Sequence, residues 1–388
     1  MNLLLVGGTG VLSSAIVKEA LGRGIEIYII NRGNRPELIP PNVRLLKTDV
    51  RDRGKVTSLL KDLYFDAVID CICYNRQQLE YSFNLFCNKT RQFIFISSCA
   101  VYDTTRCTYC DEDAPKGGKA VWKYSIEKND CEDYLRQVAG AYGINYTIIR
   151  PSVTYGGTRI PYGISPAYGY HWTLVERILN GKPIITWNRG ENRVNITRVE
   201  DFAVGVVGIL GNPKAYNQSF NIVGDETPSW KEVLDVLGEL LGKEVHTIDI
   251  PPEYYAREVP SKKGEILGGR CRDVFFSNSK IKSAVPEFKQ TLPLKEGVGL
   301  TLNYYKQLHY IYGIDYAFDG ETDRIIRKYC KKKGISVDDM NLEYMDYFNV
   351  RSCRDRWEYY RGFYRNNFFM KLFDFSSRVM RKVKRSIR

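Results

Sequence analysis

The sequence predicts an α/β protein: a doubly wound parallel sheet, a smaller C-terminal domain and a basic helical tail. Three observations lead there. Short apolar runs alternate with amphipathic stretches of about ten residues through the first 150 residues, the pattern of βαβ units. A glycine-rich turn separates the first apolar run from the first amphipathic stretch. Beyond residue 300 the composition changes, and 11 of the 28 tyrosines fall in 301–388 among basic residues.

Residues 3–6, Leu-Leu-Leu-Val, form the first strand. Residues 13–22 place Ile16, Val17, Ala20 and Leu21 on one helical face. Strands follow at 25–30 and 45–48, a helix at 56–63, and strands at 67–69 and 93–96. A helix over 124–138 and a strand over 146–150 complete the series. Right-handed crossovers then bury both faces of the sheet. The expected division is a first domain over 1–150 to which later segments return, a mainly substrate-binding domain over 151–304, and an extension over 305–388.

At 388 residues, 44% hydrophobic and 26% charged, the chain can bury a full core and is not disordered. Three His exclude a His-rich metal site, and no metal is expected. The ten Cys are scattered, with one C-x-x-C at Cys107 and Cys110, which suits reduced thiols rather than a disulfide framework. The net charge is +12, and residues 351–388 hold twelve basic and three acidic side chains. The body is therefore nearly neutral, which argues against nucleic acid as its partner. The five-residue run after Met1 is too short for a signal peptide, and no stretch nears the roughly 20 apolar residues of a membrane span. A cytoplasmic protein, or one resting on the inner membrane face, is expected.

Gly7-Gly8-Thr9-Gly10-Val11-Leu12-Ser13 has glycine or a small residue where a Rossmann-type turn needs them. Gly7 permits the turn, Gly10 lets the backbone approach a pyrophosphate, and Ser13 lets helix pack on strand. Free N–H groups at the helix start attract the phosphates. Gly7, Thr9, Gly10, Val11 and Leu12 are thus candidate cofactor residues. An NAD site usually ends its second strand with an acid for the ribose, but here stand Asn31 and Arg32. Arginine can pair with a 2′-phosphate, so NADP is slightly favoured over NAD. Asp49 and Val50, after the third strand, are candidates for the adenine side.

Tyr124 and Lys128 are four residues apart and share a helical face. The ammonium is expected to lower the phenol's pKa and so allow proton exchange with a substrate oxygen. Ser97 and Ser98 end an apolar strand, at the sheet edge where such folds bind ligands.

With these residues the chain resembles the extended short-chain dehydrogenase/reductases, in the NAD-dependent epimerase/dehydratase family that acts on nucleotide sugars. The resemblance runs over about residues 1–300. It is carried by Gly7, Gly10, Asp49, the segment from Ser97 to Tyr102, Glu112-Asp113-Ala114-Pro115, Tyr124, Lys128 and Glu132. Arg150-Pro151-Ser152-Val153-Thr154-Tyr155-Gly156 and Val199-Glu200-Asp201 continue it. It implies that Ser98 and Tyr124 hold the reacting oxygen and that Lys128 binds the nicotinamide ribose. Ser13 in place of glycine and Asn31-Arg32 in place of an acid depart from the pattern. Family dehydratases carry Thr-Asp-Glu at the strand end; Ser98-Cys99-Ala100 lacks a carboxylate, leaving epimerisation or keto reduction. The resemblance further implies Arg193 and Arg272 as ligands of a nucleotide diphosphate. The tryptophans, Trp172 and Trp187 among them, are expected in the core.

The implied function is an NAD(P)-dependent nucleotide-sugar epimerase in surface polysaccharide synthesis, with an NADP-dependent 4-keto-sugar reductase as the alternative. A third reading, of another class, is RNA binding. Chloroplast stem-loop RNA-binding proteins of this fold resemble the chain at Gly-Gly-Thr-Gly and at Asn31-Arg32-Gly33. In the tail, Val379, Met380, Val383 and Ile387 fall on one helical side among Arg378, Arg381, Lys382, Lys384, Arg385 and Arg388. Phe368, Phe369, Leu372, Phe373 and Phe375 precede them. Residues 376–388 therefore read as a helix lying in an anionic membrane interface. Whether the chain forms a homodimer is left open by the sequence.

Replacing Arg32 with Ala is expected to weaken NADP binding more than NAD binding. Fluorescence titration with both dinucleotides checks it, and equal losses would assign Arg32 to stacking on adenine.

Overall fold

The computed structural model describes residues 1–117, 122–309, 313–342, 352–365, 367–372 and 376. The amphipathic helix expected over 376–388 lies, apart from Ser376, outside them, as do Phe373 and Phe375.

Five strands, β1 (Asn2–Val6), β2 (Glu26–Asn31), β3 (Arg44–Lys47), β4 (Phe65–Asp70) and β5 (Thr90–Ile96), begin the sheet. Asn145–Arg150 and Gln218–Asn221 extend it. The order across the sheet is β3-β2-β1-β4-β5, then Asn145–Arg150, then Gln218–Asn221, and every pairing is parallel. Leu3 pairs with Ile27 on one side and Ala67 on the other. The chain order reverses between β1 and β4, which opens a crevice at their C-terminal ends.

Alternate residues on each strand serve two separate cores. Leu3, Leu5, Ile27, Ile29, Ala67 and Ile69 pack under α1 (Val11–Gly22) and the helix Val199–Gly208. Leu4, Val6, Tyr28, Ile30, Phe93 and Phe95 pack under α2 (Arg53–Leu59), α3 (Arg76–Phe86) and α4 (Lys123–Val138). The continuous apolar runs in the sequence follow from burial on both faces. The sequence reading did not mark α3. Asn75 caps it, accepting from the Gln78 N–H at 3.0 Å.

A third core holds the second lobe, where Trp172, Trp187 and Trp230 are buried. Ile325, Ile326, Tyr329 and Cys330 of the helix Tyr316–Lys333 belong to that core, so the extension is built into the lobe. A buried charge cluster joins them. Lys182 meets Asp319 at 3.1 Å and Asp323 at 2.6 Å, while Arg177 meets Asp323 at 2.7 Å and also pairs with Asp319. The Tyr359 hydroxyl donates to Asp323 at 2.6 Å. Two cations against two anions leave no net buried charge. Among the described residues, no helix is long and apolar enough to cross a membrane.

The helix Cys353–Phe363 crosses Tyr316–Lys333 at very short range. A Cβ on Gly362 would stand 1.8 Å from the Ala317 carbonyl oxygen, and one on Gly320 would stand 2.2 Å from that of Tyr359. Backbone cannot yield as a side chain can. Gly362→Ala is therefore expected to destabilise the protein by about 1–3 kcal/mol through overpacking, measured as a lower denaturant midpoint.

Candidate functional site

The C-terminal ends of β1, β2, β3 and β4 enclose a cleft of about 680 Å³ lined by Gly7, Thr9, Asn31, Arg32, Asp49 and Val50 among others. Gly7 has φ +111°, and a Cβ there would lie 2.9 Å from Ile72 Cγ2, so both backbone and space require glycine. Gly10 caps α1, which Val11 and Leu12 open. Its N–H donates to Ser13 Oγ at 2.9 Å, and the Ser13 hydroxyl donates back to the Gly10 carbonyl at 3.2 Å. Serine in the third position thus closes a ring that glycine could not. A helix start beside a cleft, across a glycine-rich turn, fits a dinucleotide's pyrophosphate.

Asn31 lines the cleft and also braces its floor: its Nδ2 donates to the Gly7 carbonyl at 2.8 Å and its Oδ1 accepts from the Gly33 N–H at 2.7 Å. Arg32 is exposed at the rim. Asp49 is gripped by Arg51 at 2.6 and 3.0 Å, which, with a smaller pull from Arg32, holds its carboxyl at about 2. Arg32, Arg51 and Asp49 thus stand together at this end of the cleft.

Tyr124, Lys128 and Glu132 follow one another at single-turn spacing along α4. The Ser98 hydroxyl stands near enough to the Tyr124 phenol to favour its charged form. Lys128 Nζ donates to the carbonyls of Cys73 and Ile96, each at 2.7 Å, and lies 5.8 Å from the Tyr124 ring centre. Burial lowers the lysine's pKa. The expected fall in the tyrosine's pKa is overturned: burial raises it, and Ser98 opposes this only in part. The ammonium is committed to two carbonyls, so its field does not dominate at the phenol.

Glu132 anchors α4 to the sheet. It accepts from Arg150 at 2.9 and 2.7 Å, from Ser97 at 2.7 Å and from Arg136 at 2.9 Å. Burial alone would raise its pKa, but Arg150's hydrogen bonds and charge, helped by Lys116 and Ser97, bring it to about 2. Arg150 also donates to Tyr102 at 2.6 Å, and the Tyr102 hydroxyl to Asn221 Oδ1 at 2.6 Å.

Sequence reasoning missed the other wall of the site. Tyr74, Arg159 and Tyr168 stand close enough to Tyr124 to act on its proton affinity. Arg159 hydrogen-bonds Thr154 and lies 4.7 Å from the Tyr168 ring centre, and Tyr168 stacks on His171. His171 Nδ1 accepts from the Ile160 N–H at 3.1 Å; burial, and next the Arg159 charge, push its pKa down to about 4. The one signal was the Gly-, Pro- and Tyr-rich stretch up to Tyr170. Of the two arginines implied for a diphosphate, Arg193 pairs with Glu232 at 2.7 Å and donates to the Thr227 carbonyl at 3.0 Å, while Arg272 is exposed.

The sequence pattern of the NAD dependent epimerase/dehydratase family matches residues 3–223. The chain belongs to that family. Its sequence is 27% identical over 239 residues to the chloroplast stem-loop binding protein of 41 kDa b from Arabidopsis thaliana, covering 58% of this chain and 59% of that protein's length. A putative UDP-glucose 4-epimerase from Methanocaldococcus jannaschii is 23% identical over 332 residues, covering 78% of this chain and 98% of that one. In fold, the chain is similar to UDP-glucuronic acid 4-epimerase from Bacillus cereus, solved with UDP-glucuronic acid and NAD. The TM-score is 0.63 at 19% identity, over 79% of this chain and all of that one.

The depressed Glu132 pKa sets an acid limit. Its folded value of about 2 lies below the ordinary 4.5, so its stabilisation is present above pH 4.5 and is lost as pH falls through 2. The stability lost over that range is on the order of 3 kcal/mol. Glu132→Gln is expected to be less stable at pH 7 and to show a shallower decline between those values, read from denaturant melts along a pH series.

Proposed function

We propose that this family member is an NAD(P)-dependent nucleotide-sugar epimerase that removes a hydride from a sugar carbon and returns it, serving surface polysaccharide assembly. The observation that carries the reading is the Tyr124 phenol near Ser98 and buried Lys128, whose ammonium holds the carbonyl of Cys73 in the lining of a cleft of about 680 Å³. The nicotinamide group, when bound, supplies the hydride acceptor and donor. The chain's own residues supply position and proton. Ser98 and Tyr124 together hold the reacting sugar oxygen. At a keto oxygen Tyr124 gives up its proton, and its raised pKa keeps that proton in place at neutral pH. At a hydroxyl the ionised phenol has to receive one, and the raised proton affinity that burial gives it favours that uptake. Arg159, Arg193 and Arg272 are the arginines offered to the nucleotide diphosphate. Cys99 and Ala100 bring no carboxylate to the strand end, so the acid and base of a dehydration are absent there.

A second reading is an NADP-dependent 4-keto-sugar reductase, and Arg32 with Arg51 at the adenosine end favours it. The likeness to the stem-loop binding protein favours a third, RNA binding. Denaturing the purified protein and identifying the dinucleotide released separates the first two. Retained NAD supports a self-contained epimerase; an empty protein that consumes NADPH supports the reductase. A cofactor-indifferent protein with salt-sensitive RNA affinity supports the third.

Tyr124→Phe is expected to cut turnover by about 10²–10⁴-fold with dinucleotide affinity preserved. Steady-state kinetics on the identified substrate checks this, and a variant within about threefold of the parent, far short of that general-acid range, removes the phenol from the chemistry.

A further inference from the structure

We propose that the outer end of the C-terminal extension docks on an anionic lipid surface, with Phe368, Phe369 and Leu372 entering the headgroup region. These three side chains are 72%, 76% and 56% exposed, and Tyr364 beside them is 42% exposed. Four large apolar groups left in water within nine residues form a patch that a soluble surface ordinarily avoids. The helix that precedes them is anchored to the body. Tyr359 and Gly362 are buried against the helix Tyr316–Lys333, which the Arg177, Lys182, Asp319 and Asp323 cluster ties to the second lobe.

Charge selects the partner. Lys371, between Phe369 and Leu372 in the chain, is exposed, as is Arg365, which pairs with Glu321 at 3.1 Å, and residues 351–388 hold twelve basic and three acidic side chains. Apolar groups in a chain segment rich in lysine and arginine match a bilayer interface that carries negative headgroups. A second copy of the chain is disfavoured, because a two-fold interface would set this basic face against itself. Single-stranded nucleic acid is disfavoured because bases need flat stacking surfaces. The Phe368 and Phe369 rings stand edge to face at 77°, not side by side. With no spanning helix among the described residues, the contact is peripheral.

Full-length protein is mixed with phosphatidylcholine vesicles, with and without phosphatidylglycerol, at low and high sodium chloride, and sedimented. Binding is expected only to the phosphatidylglycerol vesicles, and to fall as salt shortens the screening length. The double variant Phe368→Ser/Phe369→Ser is expected to bind at least about tenfold more weakly, given the apolar area removed. Its thermal midpoint should not change, because both rings are exposed. Equal sedimentation of parent and variant, binding blind to lipid charge, or no binding overturns the proposal. Light scattering that shows a dimer abolished by the same variant, or RNA affinity abolished by it, also overturns it and assigns the face to that partner.

Discussion

The buried pair of Glu132 and Arg150 is the contact on which the site's geometry depends. Arg150 ends the strand Asn145–Arg150, one in from the edge of the sheet, and Glu132 lies two turns along α4 from Tyr124. Two charges out of water are tolerable only with every lone pair and N–H engaged. Ser97, Arg136, Tyr102 and the Glu112 carbonyl complete that engagement. The helix therefore cannot slide or rotate without stranding a charge. One turn nearer the site, Lys128 repeats the arrangement with two backbone carbonyls, one from Cys73 in the loop after β4 and one from Ile96 at the end of β5. Tyr124 comes next on the same face, so its distance to Ser98 is set by two anchors beneath it.

The opposite wall hangs from the extension. Asp315 caps Tyr316–Lys333 by accepting from the Phe318 N–H at 2.9 Å, and its other oxygen accepts from the Ala167 N–H at 3.2 Å. Its own N–H donates to Thr173 at 2.8 Å. Tyr305 reaches the Thr158 carbonyl at 2.6 Å. The segment between those contacts carries Arg159, Tyr168 and His171. The helices beyond residue 305, which match nothing in the family's motifs, thus shape the wall that faces Tyr124.

Proton chemistry at the site follows from burial more than from neighbouring charge. Both Tyr124 and Lys128 are shifted toward their neutral forms, the first upward and the second downward. That is the signature of desolvation, which disfavours whichever form is charged. The cofactor end is the reverse case. Asp49 sits near the surface with Arg51, and hydrogen bonding to a cation dominates its titration.

The sequence by itself determined the parallel sheet, the glycine turn and the face shared by Tyr124, Lys128 and Glu132. Each of these is written in local spacing: apolar runs of strand length, small residues at fixed intervals, a four-residue helical repeat. Even Ser13 was legible as a small residue, though not as the hydroxyl that closes the cap with Gly10. Only the tertiary structure decided that Asn31 braces Gly7, that Tyr124 is raised rather than lowered, and that Arg159 and His171 join the site. It also decided that Asp319 and Asp323 meet Arg177 and Lys182 some 140 residues earlier in the chain. Those outcomes depend on desolvation and on contacts between distant segments, and neither leaves a period or a spacing in the chain to be read.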